Sequence, residues 1–216
     1  MIELYLYETC PFCTKVRMAL GAQQLDYRRV YLLADDRDTP RWLTGRPGVP
    51  ILYLDGRYRT ESDELVDALS GRGRGLAFAS APLSAAAGAW RDAVAGAYDA
   101  LCYPRFARLG PPELSSDGAM RYFAQSRSER LGQSLEEAMA RSGEYVAQVM
   151  PALAAVAPHV DPAAVAEGRL SADDFLLFPA LRNLALVDGL ALPGRIAAYL
   201  AAVADTCGVP LFVERY

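Results

Sequence analysis

Alternating apolar and polar positions open the chain and give way to helical spacing after about ten residues. Ile2, Leu4 and Leu6 alternate with less apolar residues, which is the period of a strand with one buried face. Apolar side chains then recur at helical spacing over residues 12–23. The sequence therefore predicts a strand followed directly by a helix, which we expect to end near Gly21.

The same two periods continue further along the chain. Residues 27–33 are a second β-prone run, which we expect to lie parallel to the first strand through a right-handed crossover. A short helix is predicted to begin at Thr39-Pro40 and to end at Gly45.

A hairpin and an acidic helix complete the first module. The β-prone runs 49–54 and 57–60 flank Asp55-Gly56, a pair that is typical of a type I′ turn. A helix with an acidic first turn is predicted from residue 61. The order β-α-β-α-β-β-α over residues 1–70 predicts an α/β domain with a mixed four-stranded sheet.

The second half of the chain is predicted to be all-helical. Residues 71–83 are rich in glycine and small residues, which predicts a linker, and helical spacing dominates residues 84–216. The clearest helix start is a capping box over residues 171–174, with a hydrophobic staple between Leu170 and Phe175. Because the residues that follow are apolar on every side, we expect a buried central helix there.

Composition and charge exclude several functions. Hydrophobic residues make up 52% of the chain, which is ordinary for a globular protein. The formal charge is −4, so the chain lacks the excess of basic residues that is typical of nucleic-acid-binding proteins. No apolar run approaches the roughly 18 residues of a membrane span, and the first strand does not resemble a signal peptide. Four cysteines do not make a disulfide scaffold, so we expect a reducing, cytoplasmic setting.

Cys10-Pro11-Phe12-Cys13 stands at the predicted turn between the first strand and the first helix. Cys10 falls near the helix N-cap, and Pro11 occupies the first helical position, where its missing N–H costs nothing. Unpaired N–H groups and the helix dipole favour a thiolate there, so cysteines in such motifs titrate between roughly 3.5 and 7.5. Cys13 lies one turn on, within disulfide reach, and the pair indicates redox chemistry.

Two other interpretations of the motif stay open at this point. The cysteines could be buried and apolar, or they could be half of a zinc site. A zinc site needs two further ligands, and Cys102, Cys207 and His159 do not stand at ligand spacing.

Two further cysteines and two basic side chains near the motif are not expected to take part in the chemistry, although the basic pair could add positive potential near the thiolate. Cys102 and Cys207 lie on helical patterns and are expected to be small buried hydrophobes. Lys15 and Arg17 follow the motif and are expected to be solvated surface charges.

The whole constellation resembles the glutathione-transferase fold and, within it, the bacterial glutaredoxin 2 family of two-domain glutaredoxins. The resemblance rests on the CPxC motif, Val49-Pro50, Glu61-Ser62, the helical second half and the Ser-x-x-Asp box. It extends over nearly the whole chain. Further similar stretches, in the same order, are residues 32–36, 39–40, 49–52, 104–107, 121–123 and 177–184. Two departures are Phe12, where the family usually has tyrosine, and Glu8-Thr9, where it often has a polar pair with histidine.

The resemblance implies a fold and an activity. The fold is a thioredoxin-like α/β N-terminal domain with an all-α C-terminal domain, in a glutathione-transferase-like architecture. The activity is that of a glutathione-dependent thiol–disulfide oxidoreductase. In this activity Cys10 attacks a mixed disulfide, and Cys13 is also needed for protein disulfides.

The resemblance also implies a glutathione site. Phe12 would lie beside the tripeptide, and Val49, before a cis proline at Pro50, would pair its backbone with the cysteinyl unit. Ser62 would hold the γ-glutamyl carboxylate at a helix N-terminus, and Glu61 would hold the ammonium group. From the residues alone, the alternative is that Glu61 and Ser62 are helix caps, and Pro50 would be a strand-entry proline.

Cofactor and partner expectations follow from the same resemblance. Glutathione is expected as co-substrate and no metal is expected. The expected partners are glutathione and glutathionylated or disulfide-containing proteins, without nucleic acid or membrane, and the protein is expected to be a monomer. The alternatives are a conjugating glutathione transferase and a non-catalytic interaction module of the same fold.

Overall fold

The sheet forms where the sequence alternates. The computed structural model describes residues 1–75 and 78–212. Its strands are β1 Ile2–Leu6, β2 Tyr27–Tyr31, β3 Ile51–Leu54 and β4 Arg57–Arg59. Their order in the sheet is β2-β1-β3-β4, with β1 parallel to β2 and antiparallel to β3, and with β3 antiparallel to β4. The predicted mixed four-stranded sheet is thus confirmed.

Helices occupy the segments with helical spacing. In the N-terminal domain they are α1 Pro11–Ala22, α2 Asp38–Thr44 and α3 Ser62–Leu69. In the helical domain they are α4 Ala85–Leu109, α5 Asp117–Leu131, α6 Leu135–Ala140, α7 Ser142–Val156, α8 Pro162–Ala166, α9 Ala172–Leu184 and α10 Gly194–Cys207, with 3₁₀ turns at Pro112–Leu114 and Ala157–His159. None of the helices in residues 1–75 and 78–212 is long and apolar enough to cross a membrane.

The hairpin between β3 and β4 has the predicted turn. Asp55 and Gly56 have φ angles of 53° and 77°. Both lie in the left-handed region that a type I′ turn requires at its two central positions. The Asp-Gly pair therefore sets the register of β3 against β4.

The start of α9 forms the predicted capping box and also reaches a second helix. The Asp174 carboxylate accepts the backbone N–H of Ser171 at 2.6 Å and its hydroxyl at 2.8 Å. Its other oxygen accepts the hydroxyl of Tyr199, in α10, at 2.9 Å. Phe175 is fully buried one residue later, and Leu170 packs against the same core. The box thus fixes α9 against α10 as well as starting the helix.

The glycine-rich segment after α3 is packed, in contrast to the loose linker that its composition predicts. A Cβ atom on Gly73 would stand 1.8 Å from the carbonyl oxygen of Gln23, so only glycine permits this close approach. Arg74 donates its N–H to the same oxygen at 3.1 Å, and the rings of Phe78 and Phe175 lie 5.0 Å apart.

Part of the predicted organisation lies outside the described residues. Residues 76–77 of the predicted linker and residues 213–216 of the predicted helical domain lie outside the described residues. The boundaries at residues 70 and 84 stay a prediction.

Candidate active site

Cys10 occupies the N-cap of α1, between the end of β1 and the first helical residue, Pro11. Its φ and ψ of −71° and 119° are extended, and its sulfur accepts the backbone N–H of Cys13 at 3.4 Å. Both cysteines are free thiols. Cys10 is half-buried whereas Cys13 has no exposed surface, so only Cys10 can meet a substrate in this conformation.

The two thiols have opposite pKa shifts. A hydrogen bond from the Cys13 thiol lowers the pKa of Cys10, and the N–H groups of Cys13 and Phe12 lower it further against the opposing effect of burial. Burial raises the pKa of Cys13 well above its ordinary value, and the neighbouring Cys10 raises it further. Of the two thiols, Cys10 is therefore the one that loses its proton more readily.

Glu113, from the 3₁₀ turn Pro112–Leu114 of the helical domain, holds the backbone directly before Cys10. Its two carboxylate oxygens accept the N–H of Glu8 and the N–H of Thr9, each at 3.0 Å. They also accept the Thr9 hydroxyl at 2.8 Å. Glu113 is only 2% exposed, and its negative charge raises the pKa of Cys10 against the effects that lower it.

Two consecutive residues of α9 reach the same backbone segment. The Asn183 side-chain amide donates to the Thr9 carbonyl oxygen at 3.0 Å. The Arg182 guanidinium donates to the Glu8 carbonyl oxygen at 3.2 Å and to the Glu8 carboxylate at 2.7 Å. The segment that ends at Cys10 is thus bound on two sides by the helical domain.

The Glu8 carboxylate is the centre of a buried charge cluster. It pairs with Arg17 of α1 and with Arg182 of α9, both at 2.7 Å, and accepts the Tyr31 hydroxyl at 2.7 Å. Burial alone would raise the pKa of Glu8, but the two guanidinium groups lower it to about 2. Burial lowers the pKa of Arg182 to about 10, so it stays charged at neutral pH. The cluster holds two positive charges against one carboxylate.

The solvated surface position expected for Arg17 is wrong, and Lys15 is partly exposed. Arg17 is 1% exposed because it turns inward to the Glu8 carboxylate. The Lys15 side chain is 13% exposed and pairs with Asp63 of α3 at 2.8 Å. The expectation that Cys102 and Cys207 are buried is confirmed, and burial raises the pKa of both thiols.

A cavity of about 640 Å³ opens beside Cys10, between the two domains. Phe12 and Val49 line it on the side of the N-terminal domain, and the Val49-Pro50 peptide bond is cis, as the resemblance implies. The opposite wall comes from α4, α5 and α9 and is mainly aromatic and aliphatic. Among the described residues, the predicted site residues that do not line the cavity are Cys13, Pro50, Glu61 and Ser62.

Glu61 and Ser62 stand at the start of α3. Glu61 occupies the N-cap with φ of 70°, which is uncommon for a residue other than glycine, and its side chain makes no capping hydrogen bond. Its carboxylate is exposed and pairs with Arg46 at 2.9 Å. The structure therefore does not assign Glu61 the capping role that the sequence leaves open.

No group of three or more His, Cys, Asp or Glu side chains in the described part of the chain is arranged to hold a metal ion. Cys102, Cys207 and the exposed His159 do not join the CPxC motif in such a group.

Comparisons with known proteins match both halves of the chain. The family described as "Glutaredoxin 2, C terminal domain" matches residues 86–215, and the family described as "Glutathione S-transferase, N-terminal domain" matches residues 4–75. The chain is 34% identical over 202 residues to glutaredoxin 2 of Escherichia coli, covering 92% of both chains. The chain belongs to the glutaredoxin 2 family. The function that follows from this membership is that of a glutathione-dependent glutaredoxin.

Solved structures agree with the family in fold. The crystal structure of glutaredoxin 2 from Salmonella typhimurium in complex with glutathione superposes with a TM-score of 0.89 at 32% identity, covering 98% of this chain and 96% of that one. A glutathione transferase from Phanerochaete chrysosporium has a TM-score of 0.70 at 16% identity, which shows the shared fold alone. The predicted two-domain, glutathione-transferase-like architecture is confirmed.

Sequence reasoning missed Glu113, Arg182 and Asn183 as residues of the site. Glu113 follows two prolines in a turn and has no motif spacing to the cysteines. Arg182 and Asn183 lie in the stretch 177–184, which carries part of the family resemblance. The available signal was two polar residues directly after the apolar run 175–181.

The buried Glu8 cluster predicts an acid-sensitive contribution to stability. The pKa of Glu8 falls from 4.5 to about 2 on folding, so its contribution is complete above pH 4.5 and is lost as the pH falls towards 2. Glu8→Gln should lower the free energy of unfolding at pH 7 by about 3–5 kcal/mol, because two buried guanidinium groups lose their counter-charge.

Chemical denaturation between pH 2 and pH 7 measures this effect. The Glu8→Gln protein should show a flatter dependence on pH over the acidic range than the wild type. Glu144→Gln, which changes an exposed carboxylate, is the control and should follow the wild-type curve. A Glu8→Gln protein with wild-type stability at pH 7 would show that the cluster contributes nothing net.

Proposed function

We propose that this protein reduces mixed disulfides of glutathione and protein disulfides, with Cys10 as nucleophile and glutathione as co-substrate. The observation that carries the proposal is the asymmetric pair of thiols. Cys10 has the lowered pKa and faces the interdomain cavity, whereas Cys13 is buried and protonated. A thiolate is the species that attacks a disulfide, so this arrangement supplies Cys10 as the attacking nucleophile and Cys13 as a second thiol for a later step.

Reduction of a mixed disulfide needs Cys10 alone. The Cys10 thiolate attacks the glutathione sulfur, and the substrate leaves as a thiolate that takes up a proton. Cys10 then carries glutathione in a disulfide. A second glutathione thiolate attacks the sulfur of the bound glutathione, which releases oxidised glutathione and restores the Cys10 thiolate. The net exchange consumes one reduced glutathione and releases oxidised glutathione, the other half of which came from the mixed disulfide.

Reduction of a protein disulfide uses Cys13 as well. Attack by Cys10 joins it to one sulfur of the substrate and releases the other as a thiol. Cys10 is then no longer charged, so the part of the raised pKa of Cys13 that comes from Cys10 disappears. Cys13 can lose its proton more readily at this stage and attack Cys10, which releases the reduced substrate and closes a Cys10–Cys13 disulfide for glutathione to reduce.

Glutathione binding is proposed for the N-terminal wall of the cavity. Phe12 is 54% exposed beside Cys10, and the Val49 backbone precedes the cis peptide bond. Glu61 has a left-handed backbone without a capping bond, and such outliers concentrate at ligand sites. In this proposal its carboxylate holds the ammonium group of glutathione and exchanges or shares its present partner, Arg46, while Ser62 holds the γ-glutamyl carboxylate.

The remaining expectations enter as proposals. We take the two domains to be residues 1–70 and 84–216, and the protein to be a cytoplasmic monomer without a metal. Conjugation of electrophiles is the second candidate, because the aromatic wall of the cavity offers an apolar electrophile a place to bind. Disulfide reduction is preferred because conjugation has no use for Cys13.

Serine substitutions separate the two cysteines. Cys10→Ser should abolish the reduction of glutathione mixed disulfides and of protein disulfides, because it removes the attacking thiolate. Cys13→Ser should keep the first activity and lose the second. A glutathione-coupled assay with a glutathionylated peptide and with a protein disulfide measures both. Turnover of the glutathionylated peptide by Cys10→Ser would contradict the assignment of the nucleophile, and conjugation of a chlorinated aromatic in place of disulfide reduction would favour the second candidate.

Glu61→Gln tests the glutathione site with the shape of the side chain retained. The KM for glutathione should rise about tenfold with little change in kcat, since the lost charged hydrogen bond binds ground and transition states alike. Glu64→Gln, an exposed change on the same helix, is the matched control and should leave KM unchanged. The measurement is steady-state kinetics with varied glutathione. Equal KM values for Glu61→Gln and Glu64→Gln would refute the role of Glu61.

A further inference from the structure

Arg127 of α5 lies on the helical-domain wall of the cavity that Cys10 also lines. Its guanidinium carbon stands 5.1 Å from the centroid of the Tyr103 ring and 5.3 Å from that of Phe123. Its Nε atom is buried and has no hydrogen-bond partner. Stacking on two rings holds the planar group in a fixed orientation, so little order would be lost when it binds an anion.

Other arginines of the same cavity already have partners. Arg130 pairs with Asp99 at 2.9 Å, and Arg37 donates to the hydroxyl of Tyr122 at 2.5 Å. Within residues 1–75 and 78–212, Arg127 makes no ion pair with a carboxylate. The partner of Arg37 is neutral, so Arg37 and Arg127 both lack a carboxylate among these residues, but Arg127 is the one that stacks on aromatic rings with a buried Nε.

Two aspartates also line the cavity and are already engaged. Asp99 is the partner of Arg130, and Asp36 accepts the backbone N–H of Thr39 at 2.9 Å. The charge of Asp99 is thus balanced locally, which leaves that of Arg127 available to a bound molecule.

We propose that Arg127 binds a carboxylate on the thiol that leaves in the first step, so that aromatic thiol acids joined to glutathione are preferred substrates. Guanidinium and carboxylate groups match in a planar, two-bond geometry, and the rings around Arg127 offer an aromatic thiol a surface for stacking. At about 640 Å³ the cavity falls within the roughly 300–1,000 Å³ of small-molecule sites, so it has room for more than one group.

This inference rests on the proposed function, and the order of events in the cavity follows from it. Glutathione would lie along the wall that contains Phe12 and Val49, and the leaving thiol would extend towards Arg127. The Cys10 thiolate attacks the glutathione sulfur, the aromatic thiolate leaves, and its carboxylate stays on Arg127 until the product dissociates. No oxidant or reductant beyond glutathione is needed.

A pair of substrates that differ in one group tests the proposal. The mixed disulfides of glutathione with 4-mercaptobenzoate and with 4-mercaptobenzamide have the same shape, but only the first is charged. For the wild type, kcat/KM should be about tenfold or more higher for the benzoate, the effect of one charged hydrogen bond. Arg127→Gln should have equal kcat/KM values for the two substrates. Arg127→Lys should retain only part of the preference, because an ammonium group cannot form the two parallel hydrogen bonds of a guanidinium with a carboxylate. Arg121→Gln, on the same helix but outside the cavity lining, should behave as the wild type.

Binding of an unreactive analogue separates this inference from the proposed reaction. S-(4-carboxyphenyl)glutathione has a thioether in place of the disulfide, and calorimetry should show tighter binding to the wild type than to Arg127→Gln. If neither disulfide is reduced but this difference persists, the reaction is wrong and the carboxylate site stands. Equal binding of the thioether to both proteins, or equal kcat/KM of the wild type for the two disulfides, would overturn the role of Arg127.

Discussion

The arrangement of this protein depends on the contact between a buried carboxylate of the helical domain and the backbone before Cys10. Glu113 accepts the N–H groups of Glu8 and Thr9, which a strand end leaves without partners. A buried N–H without an acceptor costs about 1–3 kcal/mol, so the contact satisfies donors that the sheet cannot. Because the Cys10 residue follows at once, the helical domain fixes where α1 begins and where the sulfur lies.

The charges around this contact act on Cys10 in opposite directions. The Cys13 thiol and the N–H groups of the first turn of α1 favour the thiolate, whereas burial and the charge of Glu113 oppose it. The net pKa of Cys10 is lowered. The helical domain therefore moderates the acidity of a thiol that the N-terminal domain activates. The nucleophilicity of a thiolate falls as its pKa falls, so the opposing effect of Glu113 favours a more nucleophilic sulfur.

Local features of the fold could be predicted from the sequence, and long-range polar contacts could not. The strand, turn and helix around Cys10, the Asp55-Gly56 hairpin and the capping box at Ser171 each depend on neighbouring residues, and each is confirmed. Arg17 looks like a surface charge because no acidic residue stands three or four positions from it on the helix, and its partner Glu8 lies before the helix begins. Its environment is set by Glu8 together with Arg182, which lies 174 residues from Glu8. The contact of Glu113 with Thr9 spans 104 residues in the same way.

The most direct test of this account is the pKa of Cys10 in the wild type and in Glu113→Gln, measured as the rate of iodoacetamide alkylation against pH. Cys10→Ser versions of both proteins are the controls, because an alkylation signal that disappears in them comes from Cys10. The substitution removes a negative charge beside the sulfur but keeps one acceptor oxygen for the backbone before it. The account predicts a folded protein in which the pKa of Cys10 is lower than in the wild type. A pKa that is unchanged or higher would contradict the claim that the helical domain moderates the acidity of the nucleophile through this carboxylate.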